Sequence, residues 1–223
     1  MKIVSWNCRG KFREKFSLLM RFNADIYVVQ ECENPEKYTA IKKDFCSNYF
    51  WCGESDSKGL GIFLKSDVNA VKNDWQTYCL RNFISLRVNN EFDLLGVWAC
   101  SPYIEEYYIY QSINIEKYNE NTVIIGDFNS NAMWDKGHGK RNHSTVIKEL
   151  ASKGLCSAYH YVTGEEQGQE TAKTFFLYKH LDKAYHIDHC FISKDRILNY
   201  NVCNFSEWLK YSDHIPIVLD LKS

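Results

Sequence analysis

Asp127 and Asn129 stand two positions apart, directly after the apolar run TVIIG at 122–126. On extended backbone, residues i and i+2 point to the same side. A carboxylate and an amide placed this way can converge on a single atom, as cation ligation or proton transfer requires. Asp and Asn are also ordinary turn formers, because their side chains bond the backbone two residues on. Taken alone, IIGDFNSN at 124–131 reads as a strand running into a turn. The chemical reading needs partners, and the chain has candidates. Asn7 closes KIVSWN, Glu31 closes ADIYVVQE, Asp188 lies in HIDHCFIS, and Asp213 and His214 open SDHIP. Each has an ordinary explanation of its own: a solvated strand end, a turn bond, an ion pair, a surface histidine. Their joint occurrence at strand ends is harder to explain that way.

The elements that must position these groups follow from hydrophobic periodicity. KIVSWN reads as a strand. KFREKFSLLMRFN at 11–23 predicts an amphipathic helix, with Phe12, Phe16, Leu19 and Asn23 at helical intervals. ADIYVVQE predicts a second, nearly all-apolar strand. Strand, helix and strand within 31 residues predict a right-handed parallel crossover. That places Asn7 and Glu31 at the carboxyl ends of neighbouring strands, the edge where ligands collect. GLGIFLK predicts a strand, and FISLRVNNEFDLLGVWAC a hairpin turning at NNE. Residues 103–121 predict a helix with Tyr107, Tyr110 and Ile113 on its inner side. STVIKELASKG predicts a short helix with Val146, Ile147 and Leu150 inward and Gly154 as its stop. TFFLY, HIDHCFIS and IPIVLDL predict three late strands. Mixed parallel and antiparallel signals predict an α/β fold. It is a single domain over 1–223, a four-layer α/β sandwich of two packed mixed β-sheets flanked by helices.

Composition narrows the function. The 223 residues are 45% hydrophobic and 25% charged, the proportions of one globular domain with a full core. A net charge of −1 argues against a protein that coats duplex DNA through its phosphates. Local basic segments remain. CRGKFREK carries Arg9, Lys11, Arg13 and Lys15, and WDKGHGKRNH carries Lys136, Lys140 and Arg141. Both lie beside the candidate residues, where a polyanion would be drawn; an ordinary solvated helix face and a loop are the plain alternatives. Nine cysteines are scattered without a Cys-x-x-Cys pair, so structural zinc is not expected. The N-terminus begins with a strand-like run, and no apolar stretch is long enough to span a bilayer. The expectation is a cytoplasmic protein with reduced thiols, no membrane association and no obligatory protein partner.

Together SWNCRG, DIYVVQE, GDFNS, TFFLY, HIDHCFIS and SDHIPIVLDL resemble the endonuclease/exonuclease/phosphatase family. The similarity is to the branch holding exonuclease III, the apurinic endonucleases and pancreatic deoxyribonuclease. The stretches keep the family's order from residue 3 to residue 221. The resemblance implies a Mg²⁺-dependent phosphoesterase, with Mn²⁺ as an alternative ion, that hydrolyses phosphodiester bonds. A nuclease acting on DNA or RNA is the first expectation. Glu31 would be the main ligand of the ion, a hard cation that prefers oxygen, with Asn7 and Asp213 supporting the metal site. Asp127 would orient or deprotonate the attacking water, and Asn129 would donate to a phosphate oxygen. His214 would donate to the phosphate as charge builds, with Asp188 holding its other ring nitrogen. Phe175 matches a position lining the pocket for sugar or base, and Lys140 and Arg141 are candidates for substrate binding.

Departures from the pattern keep other readings open. Ala99 and Cys100 stand before Pro102 where many relatives carry Tyr or His. Arg9 stands where the apurinic branch has an acid, and the chain is short. One alternative is a phosphatase or phosphodiesterase for a small phosphorylated metabolite or lipid headgroup. The other is a catalytically silent binding module on the same fold.

Overall fold

Several strands are apolar on both faces, so each sheet must be covered twice. The computed structural model, which describes residues 1–222, meets that demand with four layers. In chain order the strands are β1 (Lys2–Asn7), β2 (Ile26–Cys32), β3 (Tyr49–Ser55), β4 (Lys58–Leu64), β5 (Ala70–Lys72), β6 (Phe83–Val88), β7 (Phe92–Trp98), β8 (Thr122–Asp127), β9 (Cys156–Ser157), β10 (Phe175–Phe176), β11 (Ala184–Tyr185), β12 (Asp188–Ile192), β13 (Ile197–Val202) and β14 (Ile217–Leu221). The α-helices are α1 (Phe16–Met20), α2 (Ile104–Asn114), α3 (His143–Ser152), α4 (Ala158–Thr163) and α5 (Phe205–Trp208). One six-stranded sheet runs β13-β14-β1-β2-β4-β3, the other β5-β6-β7-β8-β12-β9, and β10 and β11 form a separate ribbon.

Alternation along the strands sorts side chains into three apolar layers. Ile3, Val28, Ile62, Leu94 and Ile125 fill the space between the sheets. Their neighbours Val4 and Val29 turn outward to Trp6, Phe12, Leu19 and Trp208, under α1 and α5. On the far side, Leu95 and Ile124 turn outward to Tyr107, Tyr110, Val146 and Leu150 of α2 and α3.

Each sheet contains one parallel pair, and these two pairs place the site. β1 runs parallel to β2 with Asn7 opposite Gln30, and β7 runs parallel to β8 with Trp98 opposite Asp127. β12 lies antiparallel to β8 and sets Asp188 directly across from Asp127. Buried Gln30 ties the sheets together here, donating to Ser5 Oγ at 3.0 Å and to the Val97 carbonyl at 3.3 Å.

Some elements differ from expectation. The helix expected over 11–23 is a tight turn at Phe12–Glu14 followed by α1, broken where Lys15 leaves helical geometry (φ −127°). Lys15 instead donates to the Cys8 carbonyl at 2.7 Å, while Phe12 and Leu19 are buried as their spacing requires. In α2, Ile113 faces outward, and the inward positions belong to Gln111 and Asn114. Gln111 Nε2 donates to Glu149 at 2.8 Å, and Asn114 bonds the Gln76 backbone at 2.8 and 3.0 Å. TFFLY yields only the two residues of β10 before a turn with Tyr178 and Lys179 at positive φ. The β6–β7 hairpin does turn where NNE stands, with Asn89 and Asn90 both left-handed. No cysteine is in a disulfide, and among the described residues no helix is long and apolar enough to cross a membrane.

Candidate active site

Backbone geometry presents each group. Asp127 ends β8 after Gly126, whose φ is +150° and whose Cβ, if it had one, would lie 2.0 Å from the Val97 carbonyl oxygen. Only glycine lets β8 close on β7 at this point. Glu31 sits at φ 57° in a bulge where the β2–β4 register shifts between Gln30 and Cys32. The bulge leaves Glu31 outside the ladder and aims its side chain to the site. Asn129 is also left-handed, at φ 48°. His214 bridges to Phe175, and its carbonyl accepts the Trp6 indole N–H at 3.0 Å.

These segments bring one network together. Asn7 Nδ2 donates to Asp127 Oδ2 at 3.0 Å and to Glu31 Oε1 at 3.4 Å, while its Oδ1 accepts the Arg9 N–H at 3.0 Å. The Asn129 N–H donates to Asp127 Oδ1 at 2.8 Å, and its Nδ2 donates to Asp127 Oδ2 and the Ala99 carbonyl, both at 3.1 Å. His214 Nδ1 lies 3.0 Å from Asp188 Oδ2, and Nε2 lies 3.9 Å from Asp127 Oδ2. The Phe175 ring packs on the His214 ring with centroids 4.7 Å apart. Asp213 meets Arg9 Nε at 3.3 Å. Lys140 and Arg141 remain exposed in the loop before α3, and among the described residues no side-chain hydrogen bond or ion pair ties either to the cluster.

Asp127 is fully buried. Burial pushes its carboxyl up to about 7, against the pull of His214 and the hydrogen bonds from Asn7 and Asn129; Asp188 adds to the rise. Burial alone would make His214 less basic, but Asp188 and Asp127 outweigh it and raise the ring to about 9. The two shifts favour a proton on the His214 ring beside the Asp127 carboxyl, and the geometry sets the two groups to exchange it.

Where could a cation bind? Ligand atoms of Asp127, Asp188 and His214 lie within 4.8 Å of one another. An imidazolium has no free lone pair, however, so a protonated His214 ligates poorly. Glu31 fits better. Its Oε2 has no exposed surface and accepts no hydrogen bond. It touches Lys58 Nζ at 2.5 Å, outside hydrogen-bonding geometry, and the Lys58 side chain is half exposed. A carboxylate oxygen beside Asn7 that accepts no hydrogen bond and meets only the half-exposed Lys58 side chain is a donor for a hard cation.

Sequence reasoning missed several supports. Ser212 Oγ donates to the Asn7 carbonyl at 2.7 Å and accepts the His214 N–H at 3.1 Å. Thr174 Oγ1 accepts the N–H groups of Ile187 and Asp188, each at 3.0 Å. Ser212 adjoins the Asp213–His214 pair and could have been suspected; Thr174 and Lys58 carry no local signal.

No protein-family model and no curated protein sequence matches the chain. Solved structures do match its fold. NExo from Neisseria, a 3′ phosphatase bound to a product DNA hairpin, aligns with TM-score 0.73 at 18% identity over 100% of both chains. An AP endonuclease from Archaeoglobus fulgidus aligns with TM-score 0.73 at 15% identity over 100% of both chains. The endonuclease domain of TRAS1, a telomere-specific non-LTR retrotransposon, aligns with TM-score 0.67 at 18% identity over 99% of this chain and 97% of that one. These likenesses, all at 18% identity or below, show that the chain shares the fold of these proteins.

Proposed function

We propose that the chain is a divalent-cation-dependent phosphoesterase that hydrolyses phosphodiester bonds in DNA. The observation that carries this reading is the His214 ring, buried between Asp188 and Asp127, with the Asn7 amide linking Asp127 to Glu31. An oxygen lying beside the 3.9 Å gap can accept from His214 Nε2 while giving its proton to Asp127 Oδ2. With a carboxyl near 7, Asp127 suits a general base at neutral pH. Asn7 and Asn129 hold that carboxylate in one orientation. Asp188 fixes the His214 ring so that Nε2–H faces the reacting phosphate and steadies the charge building there. Asn129 can donate to a phosphate oxygen by giving up its bond to Ala99 or to Asp127 Oδ2. Phe175 backs the His214 ring and offers an apolar wall to a sugar or base.

Mg²⁺, with Mn²⁺ as a substitute, fits the oxygens of Glu31 and Asp213, and when bound it would neutralise charge on the phosphate and leaving oxygen. The neighbours named as acting on or bound to DNA favour DNA as the polyanion, with Lys140 and Arg141 reaching its backbone.

The test is a substrate panel with Mg²⁺: single-stranded, duplex, abasic and 3′-phosphorylated DNA, RNA, and sugar and inositol phosphates. DNA substrates should be turned over fastest. Faster turnover of the small phosphates would replace this reading with that of a metabolite phosphatase. DNA binding without any hydrolysis would replace it with a silent module.

A further inference from the structure

Building on the cation site proposed above, we infer that Lys58 is a built-in competitor for the cation on Glu31. The lysine ammonium and a divalent ion take turns on one carboxylate oxygen, and their balance sets how much cation the protein needs.

The backbone creates this pairing. Lys58 opens β4 and pairs with Ser55 across the β3–β4 hairpin. Next to it, Gly59 holds the hairpin tight: a Cβ there would lie 2.3 Å from the Cys52 carbonyl oxygen. Gly59 also pairs with Cys32, on the far side of the bulge that ejects Glu31 from the β2–β4 ladder. Glu31 is the bulged residue and Lys58 lies one position beyond the Cys32–Gly59 pair, so the Lys58 side chain reaches Glu31 from the adjoining strand.

The two oxygens of Glu31 are unequal. Oε1 accepts from Asn7 at 3.4 Å. Oε2 is sealed from solvent, and Lys58 Nζ stands against it at 2.5 Å. That oxygen cannot hold an ammonium this close and a hard cation at about 2.1 Å from the same side. The Lys58 side chain is 52% exposed, so the departing ammonium is readily solvated. Exposed ion pairs are weak in water. A divalent ion can therefore win, but it must first displace a charge of its own sign. The arrangement differs from that at Asp213, where Arg9 approaches through Nε at 3.3 Å from a loop beyond β1.

The experiment is direct measurement of Mn²⁺ binding to the full chain, by calorimetry or by the free-ion resonance signal, without substrate. Lys58→Met should tighten binding roughly 3- to 10-fold, the scale for removing a weak competing pair and its repulsion. Lys58→Gln should behave alike. Lys58→Arg, which keeps the charge, should stay within about twofold of the parent on the same scale. Unchanged or weaker Mn²⁺ binding in both Lys58→Met and Lys58→Gln, with binding lost in Glu31→Gln, would overturn the competition and leave the cation site standing. Unchanged binding in Glu31→Gln would remove the cation from Glu31 and overturn both. Because Lys58 is half exposed, cation-free melting curves should match the parent for every Lys58 variant.

Discussion

The cluster contains two pairs of carboxylates that differ in their surroundings more than in their chemistry. Asp127 and Asp188 are at most 2% exposed and are enclosed by Asn7, Asn129, Thr174 and His214. Glu31 and Asp213 keep 18% and 16% of their side chains exposed and face the half-exposed cations Lys58 and Arg9. In the dry pair, burial governs proton affinity: it lifts Asp127 toward neutrality and lets two acids hold His214 charged. The other pair lies nearer solvent, and the side chains of Lys58 and Arg9 that face it can swing away into water. The contrast teaches that carboxylates of like chemistry are set apart by hydration, and under the proposed function it assigns proton transfer to one pair and cation binding to the other.

The most severe break should come from Asp127→Asn, which keeps the shape and removes the base. Turnover should fall on the order of 10⁴-fold or more, with an unchanged circular dichroism spectrum, and added Mg²⁺ should not restore it. His214→Ala should cost about 10³-fold. Combining it with Asp188→Asn should cost little more, because a residue acting only through His214 has nothing left to position. Additive losses would separate the two. Glu31→Gln should cost on the order of 10²-fold at a fixed cation concentration, and raising Mg²⁺ should recover part of it. Equal loss and no recovery would erase the distinction between the pairs.

Beneath the dry half, buried His143 and His189 bond Ser130, next to Asn129, at 3.2 and 2.9 Å. Burial pulls His143 down to about 4 from 6.5. Above pH 6.5 neither state of the chain binds that proton. Below it the unfolded chain is protonated first, so stability falls as pH drops toward 4. At 1.36 kcal/mol per unit the loss is about 3 kcal/mol. Urea midpoints measured at pH 7 and 4.5 should show it, and His143→Gln should flatten the dependence. The smallest effect belongs to the exposed loop. Lys140→Ala with Arg141→Ala should raise KM for DNA roughly 3- to 10-fold and weaken its salt dependence, while hydrolysis of a small chromogenic phosphodiester stays unchanged.

Much of this was legible in the chain. The runs KIVSWN, ADIYVVQE, TVIIG and IPIVLDL are strands because their apolar residues are contiguous or alternate, and polar residues closing or opening them mark the sheet edge. Asn7, Glu31, Asp127, Asn129, Asp188, Asp213 and His214 could be named on that basis together with the family resemblance. β13 was not legible: an edge strand exposed at Leu198, Asn199 and Asn201 has no apolar run to announce it. Nor was the broken helix near residue 15, decided by a lysine that reaches a carbonyl on another segment. The side chain that faces Glu31 was hidden for a related reason, since a register shift between two strands brings Lys58 there.

The sequence alone determined where strands run and which polar groups end them, because hydrophobic period and chain reversal are local properties. Only the tertiary structure decided that Asp127 is dry while Glu31 keeps some exposure, that His214 stands between two acids, and that Lys58 faces Glu31. Those outcomes depend on desolvation and on charges brought from distant positions, and neither is encoded by a residue's own neighbours along the chain.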